Sequence, residues 1–367
     1  MAANKILIFS LSYFPLIGGA EVAVKEITDR ISDIEFDMVT MRFDKSHPKF
    51  ERIGNINVYR IGGGLGYLSK VLFIPQAALF ALRRKHDLYW AMMTYMLFPV
   101  VLVRLLGKKT NYTLTLQDGD PFTHVFNRLR IFFFRPFLYW GFRKASKVQT
   151  ISTFLAGWAK KMGHKKEVQI IPNGVDLSKF RIQNSPNKEN NKIKLITTSR
   201  LVKKNAVEDI IESLQYLPEN VELEVLGTGP LDEYLKLRAE NLNLEKRVKF
   251  LGEISNESVP SYLFDADIFI RPSLSEGQGI SFIEAMAAGL PVVATPVGGI
   301  TDFLKDRQTG LICKVNDPKS IADKVMEYIN NPELKETIIK NARDMVIEKY
   351  DWNLIAKRMK SKVFDVI

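Results

Sequence analysis

The sequence predicts an α/β chain of two doubly wound domains, each a parallel sheet covered by helices. Three observations carry this. Short apolar runs alternate with longer stretches of helical period through both halves of the 367 residues. A polar, Asn-rich stretch at 181–193 interrupts the alternation and reads as a linker. The chain is 46% hydrophobic, enough at this length for two cores.

The first domain, 1–180, has expected strands at 5–13, 36–43, 57–62, 88–93, 112–117, 148–151 and 168–172, where apolar and β-branched residues run together between turn residues. In the second, 194–345, they fall at 194–199, 222–226, 248–251, 268–271, 291–294 and 310–315. The tail, 346–367, reads as helical, with Trp352, Ile355, Met359, Val363 and Phe364 near one face. Open parallel sheets bind ligands beyond the carboxyl ends of their strands, so residues just after strands are the ones to inspect.

Composition narrows the function classes. A single cysteine, Cys313, excludes an internal disulfide and a thiolate metal cluster, and fits a reducing cytosol. The four histidines, His47, His86, His124 and His164, are scattered and do not form a metal-ligand pattern. The amino terminus runs straight into a strand pattern, so no signal peptide is expected. The net charge of +11 is unevenly placed: residues 1–180 hold 26 Lys and Arg against 13 Asp and Glu, and the rest is slightly acidic. That asymmetry points to a polyanionic partner of the first domain.

The most informative stretch is 271–285, RPSLSEGQGISFIEA. A short strand leads into a Gly-rich turn and then an Ala-rich helix that is stopped by Gly289 and Pro291. Backbone N–H groups at such a helix start favour an anion. Glu276 and Glu284 bracket it at a separation of at most about 12 Å, the length of eight helical residues. On its own the pattern is also compatible with a helix-terminus charge and an ordinary surface glutamate.

The string resembles the donor-site signature of the retaining glycosyltransferases of family 4, which have the GT-B fold of two Rossmann-like domains facing across a cleft. The resemblance implies that Glu276 lies by the transferred sugar, Glu284 holds the ribose, and Gly277, Gln278, Gly279 and Ile280 meet the phosphates. Gln278 stands where the family often has an aromatic residue. The tail is then expected to cross back onto the first domain.

Further strings fit the same resemblance. Arg200, Lys204 and Asn205 follow a strand, and the family usually has an arginine with a lysine five positions later on the donor diphosphate; here that position is Asn205, so the resemblance assigns the diphosphate to Arg200 and Lys204. An arginine fork matches phosphate oxygens, whereas a lysine is a mobile point charge. A solvated basic helix start is the bland alternative. Gly18 and Gly19 open a helix after the first strand and correspond to the family's Gly-Gly loop over the donor. Residues 171–176, IPNGVD, resemble a string at the family's domain junction and equally read as a strand-ending turn. The turn at Gly227, Gly229 and Pro230 is family-like too.

Gln117 occupies the place of a histidine in the family's His-Asp pair, followed by Asp118. Glutamine cannot act as a base but can hydrogen-bond a hydroxyl. In the family the departing diphosphate is thought to draw the acceptor proton during same-face attack, so the resemblance puts catalysis on Arg200, Lys204, Glu276 and the helix start, with Gln117 and Asp118 positioning sugar and acceptor. Two Asp-x-Asp strings, at 118–120 and 265–267, suit a hard cation. The second precedes a buried strand and reads as an ordinary turn, and no required metal or other cofactor is expected.

Residues 126–147 interleave Arg and Lys with Phe132, Phe133, Phe134, Phe137 and Trp140, and contain no acid. This describes either a membrane-interface segment or a core-packed helix whose arginines snorkel. Nucleic acid is the competing partner, and the consecutive phenylalanines favour hydrocarbon over base stacking. The longest uncharged run of the first domain, 88–103, is too short to span a bilayer. The expectation is a cytoplasmic, peripheral-membrane retaining hexosyltransferase that uses a nucleotide sugar, UDP- or GDP-linked, and a lipid-linked or glycan acceptor. A GT-B epimerase and a non-catalytic nucleotide-binding module are the alternatives.

Overall fold

A computed structural model describes residues 5–63, 66–180 and 192–365. The chain forms two compact units, Met1–Asn173 with Trp352–Ile367, and Gly174–Asp351. The division falls before the expected boundary at 180 because Val175 and Phe180 are buried in the second unit's core and Val175 N–H donates to Tyr350 O at 2.8 Å. Most of the expected linker, 181–191, lies outside the described residues.

The first unit's strands are β1 (Lys5–Phe9), β2 (Glu35–Met41), β3 (Phe50–Ile53), β4 (Ile56–Ile61), β5 (Leu88–Met92), β6 (Asn111–Leu116), β7 (Lys147–Thr150) and β8 (Val168–Ile170). They form one sheet in the order β3-β4-β2-β1-β5-β6-β7-β8, parallel except for β3. The expected strand at 5–13 ends at Phe9, where the Ser10 hydroxyl turns to donate to Ser12 O. The sequence reading missed β3, since its FERI pattern mixes charge with apolar residues and it pairs only at the sheet edge.

Pleating divides β1 between two cores. Ile6 and Ile8 pack on one face, Leu7 and Phe9 on the other, and all are fully buried. The helices are α1 (Gly19–Asp29), α2 (Tyr67–Leu82), α3 (Leu97–Leu105), α4 (Phe122–Phe126), α5 (Leu129–Phe132), α6 (Arg135–Lys144) and α7 (Thr153–Lys161). Residues of α2, α3, α6 and α7 fill the Leu7 face, whereas α1 packs on the Ile6 face.

In the second unit, β9 (Ile193–Thr198), β10 (Val221–Leu226), β11 (Val248–Gly252), β12 (Ile268–Arg271), β13 (Val292–Ala294) and β14 (Leu311–Ile312) form a parallel sheet ordered β11-β10-β9-β12-β13-β14. Its helices are α8 (Val207–Ser213), α9 (Asp232–Asn241), α10 (Val259–Asp265), α11 (Ile280–Ala287), α12 (Pro318–Asn330) and α13 (Pro332–Lys349). The strand order is that of a dinucleotide-binding Rossmann sheet. The chain then returns to the first unit as α14 (Trp352–Met359), where Trp352, Ile355, Met359 and Phe364 join α1 on the Ile6 face. The Phe364 ring lies 4.8 Å from that of Trp90 and 5.9 Å from that of Phe36.

Candidate active site

In the second sheet the winding direction reverses between β9 and β12, which are hydrogen-bonded neighbours. Helices after these strands cover opposite faces, which leaves a crevice at their carboxyl ends. The segment after β9 holds Arg200, exposed, then a short 3-10 turn, Lys203–Asn205. The segment after β12 holds Glu276 and the glycine turn. Leu274 N–H donates to Lys204 O at 2.7 Å, which binds the two segments together.

At their junction lies a buried charged network. Arg271, the last residue of β12, is 9% exposed. Its Nη2 donates to Glu276 Oε2 at 2.5 Å and to Asn205 Oδ1 at 2.9 Å, and its Nη1 donates to Ser281 Oγ at 2.8 Å. Asn205 is itself fixed, because its Nδ2 donates to Arg200 O at 2.7 Å. The other carboxylate oxygen of Glu276 accepts from Gly277 N–H at 2.9 Å. Both oxygens are therefore anchored, one by a charged partner and one by backbone, and the carboxylate has little freedom to rotate.

Two glycines hold the backbone beneath it. Gly298 has φ +55°, and a Cβ there would lie 1.9 Å from Glu276 O. Gly299 N–H donates to that same oxygen at 3.0 Å. Gly279 precedes α11 with φ +81°, and a Cβ there would strike the Phe282 ring at 2.5 Å. No side chain caps α11 and no acid lies in its first turn, so its amino end directs backbone N–H groups and the positive end of the helix dipole outward.

Glu284 sits within α11 and is half-buried. Burial pushes its carboxyl up to about 7, opposed by the charge of Lys179. A carboxyl near neutrality suits hydroxyl partners, from which it can accept or to which it can donate. Gln278 is buried, and the turn after β10 is tied to the Arg200 segment by Leu201 N–H donating to Thr228 O at 3.0 Å.

The first unit shows its own cluster at a carboxyl edge. Gly18 is the N-cap of α1, and Glu21 in that first turn accepts from the Ser12 hydroxyl at 2.6 Å. Gln117, immediately after β6, accepts from Asn173 Nδ2 at 3.1 Å. Asp118 is buried and accepts from the Thr94 hydroxyl at 3.4 Å.

The structure thus joins Glu276 to Gly277 directly and to Asn205 through Arg271, with Arg200 and Lys204 attached through their carbonyls. Glu284 and Gly279 lie on or beside the same helix. Sequence reading missed Arg271, Ser281 and Gly298. A charged residue closing the otherwise apolar run IFIR, just before proline, was the available signal for Arg271.

A family model described as glycosyl transferases group 1 matches residues 178–345, and one described as Glycosyltransferase Family 4 matches residues 17–179. The chain belongs to glycosyltransferase family 4. An uncharacterised glycosyltransferase of Methanocaldococcus jannaschii is 28% identical over 402 residues, covering 100% of this chain and 99% of that protein. A GDP-mannose-dependent alpha-(1-6)-phosphatidylinositol monomannoside mannosyltransferase of Mycobacterium tuberculosis is 26% identical over 219 residues, 55% of this chain and 57% of its own. Among solved structures, Anabaena HepE in complex with UDP and glucose superposes with a TM-score of 0.82 at 20% identity, over 99% of this chain and 100% of that one. The GT-B fold follows for this family 4 glycosyltransferase.

One Asp-x-Asp string is committed elsewhere in the fold. Asp265 pairs with Lys194 Nζ, and Asp267 accepts from Lys194 N–H at 2.8 Å. Among the described residues no helix is long and apolar enough to cross a membrane.

Proposed function

We propose that this glycosyltransferase moves a hexose from a UDP- or GDP-sugar to a lipid-linked or glycan acceptor, with retention at the anomeric carbon and with no required metal or other cofactor. The observation that carries the reading is the anchored Glu276 carboxylate at the amino end of α11, beside the Arg200 to Asn205 segment. The helix start and the cations Arg200 and Lys204 supply positive potential for a diphosphate leaving group, the usual requirement of glycosyl transfer from a nucleotide. Gly277, Gln278, Gly279 and Ile280 would offer backbone donors to it. Glu276 is assigned to the sugar and Glu284 to the ribose hydroxyls. As the diphosphate departs, its oxygen takes the acceptor proton and the acceptor bonds to the same face of the sugar.

In the first unit, Gly18 and Gly19 are assigned to the donor, and Gln117 with Asp118 to sugar and acceptor positioning. That unit also carries the basic excess, and Phe132, Phe133, Phe134 and Phe137 expose 57%, 70%, 52% and 46% of their surface. Adjacent exposed aromatics among arginines fit an anionic membrane face on the cytoplasmic side, and not nucleic acid.

A thermal-shift panel of UDP- and GDP-sugars tests the donor, since a ligand at 100 times its Kd stabilises by about 2.7 kcal/mol. Nuclear magnetic resonance of the product's anomeric proton tests retention. Absence of any nucleoside diphosphate release, with lipid-linked and glycan acceptors both supplied, would overturn the reading.

A further inference from the structure

We propose that Arg271 is the positioning residue of the transfer step, acting through Glu276 and clamped by Asn205 and Ser281. This rests on the donor-site reading and adds a residue and a mechanism to it.

A guanidinium buried to this degree gives up its hydration, and one paired carboxylate does not by itself make that favourable. Arg271 meets the cost with three hydrogen bonds, to residues five, ten and sixty-six positions away. Those partners come from the segment after β9, the glycine turn and the second residue of α11. One side chain therefore fixes the relative placement of three parts of the site. Its own Nε is buried without a hydrogen-bond partner among the described residues, so the fork faces the carboxylate and the clamps at the expense of its third nitrogen.

For Glu276 the consequence is orientation. Oε2 is held by Nη2 and Oε1 by Gly277 N–H, which leaves the outer lone pairs of a fixed carboxylate for a sugar hydroxyl or a developing positive charge. Lysine cannot reproduce this arrangement, because it lacks the planar fork that bonds Glu276, Asn205 and Ser281 at once. Asn205 takes part as a clamp: its amide oxygen accepts from Arg271 and its amide nitrogen donates to the Arg200 carbonyl.

The test compares donor kinetics with nucleoside diphosphate affinity. Arg271→Gln should lower kcat by ~100-fold, the effect of a misplaced catalytic group, while the Kd for the nucleoside diphosphate measured by calorimetry stays within about threefold. Arg271→Lys should fall between that variant and wild type. In a Glu276→Gln background, Arg271→Gln should add less than about threefold, because residues acting as one unit are non-additive. Should Arg271→Gln not fold, Asn205→Ala examines the same link and should lower kcat with nucleoside diphosphate affinity retained. Three results would overturn the proposal: kcat unchanged in Arg271→Gln, nucleoside diphosphate affinity falling in step with kcat, or an undiminished effect in the Glu276→Gln background. Failure of wild type to release nucleoside diphosphate from any donor would instead strike the donor-site reading itself.

Discussion

Replacing Glu284 by glutamine should change the pH dependence of stability in a defined direction. Burial raises this carboxyl from the ordinary 4.5 to about 7, so the folded chain keeps a proton that the unfolded chain has released. For an acid whose folded value is raised, the contribution is fully present below the unfolded value of 4.5. It is lost progressively as pH rises, and the loss is complete above about 7. The shift corresponds to at most about 3 kcal/mol, and the residue's partial exposure brings the expectation to roughly 1–3 kcal/mol. For a unit of this size each kcal/mol moves Tm by roughly 2–4 °C. Glu284→Gln removes the titrating group while keeping shape and hydrogen bonding. Melting of the two proteins, followed by circular dichroism at constant ionic strength, should therefore show the variant gaining on wild type by several degrees between pH 5 and pH 8. Parallel curves across that range would refute the reasoning, as would a variant that loses ground as pH rises.

Other perturbations follow from the packing. Gly298→Ala places a methyl against Glu276 O at a position of positive φ, so it should destabilise the second unit and abolish transfer; wild-type kcat in that variant would show that the Glu276 backbone is not held there. Phe364→Ala opens a cavity between Trp90 and Phe36 and should cost about 3–5 kcal/mol in denaturant unfolding of the first unit, and a loss well under 1 kcal/mol would mean the tail contributes little to that core. Serine at Phe132, Phe133 and Phe134 together should weaken sedimentation with anionic liposomes by at least ~10-fold. Unchanged sedimentation would remove the membrane assignment from this segment.

Much of the fold was legible because both sheets, the edge strand β3 apart, are parallel and buried on two faces, which forces apolar strands such as Lys5–Phe9 and Ile268–Arg271 to stand out between helices. The strand missed, Phe50–Ile53, is antiparallel at an edge, where burial demands less of the sequence. Residues 126–147 supported both a core and an interface reading because the segment is divided: Phe126, Leu138 and Phe142 are core, while Phe132, Phe133, Phe134 and Phe137 are exposed. In the candidate site, the Glu276 to Glu284 spacing was readable because a glycine turn and a helix start are local features. Arg271 was readable only as a charge closing an apolar strand, since its bond to Asn205 spans sixty-six positions and depends on β9 and β12 being neighbours across the topological switch. Asn205 was legible only as a departure from a pattern. Its amide is enclosed by Arg200 O and Arg271, which gives the departure a structural setting.

The most direct measurement of the central claim is nucleoside diphosphate release from the nucleotide sugar that best stabilises the fold, in wild type and in Glu276→Ala. The predicted result is steady release by wild type, with release in Glu276→Ala reduced by ~100-fold or more while the nucleoside diphosphate still binds. Release by Glu276→Ala at the wild-type rate would contradict the assignment of this carboxylate to the transferred sugar.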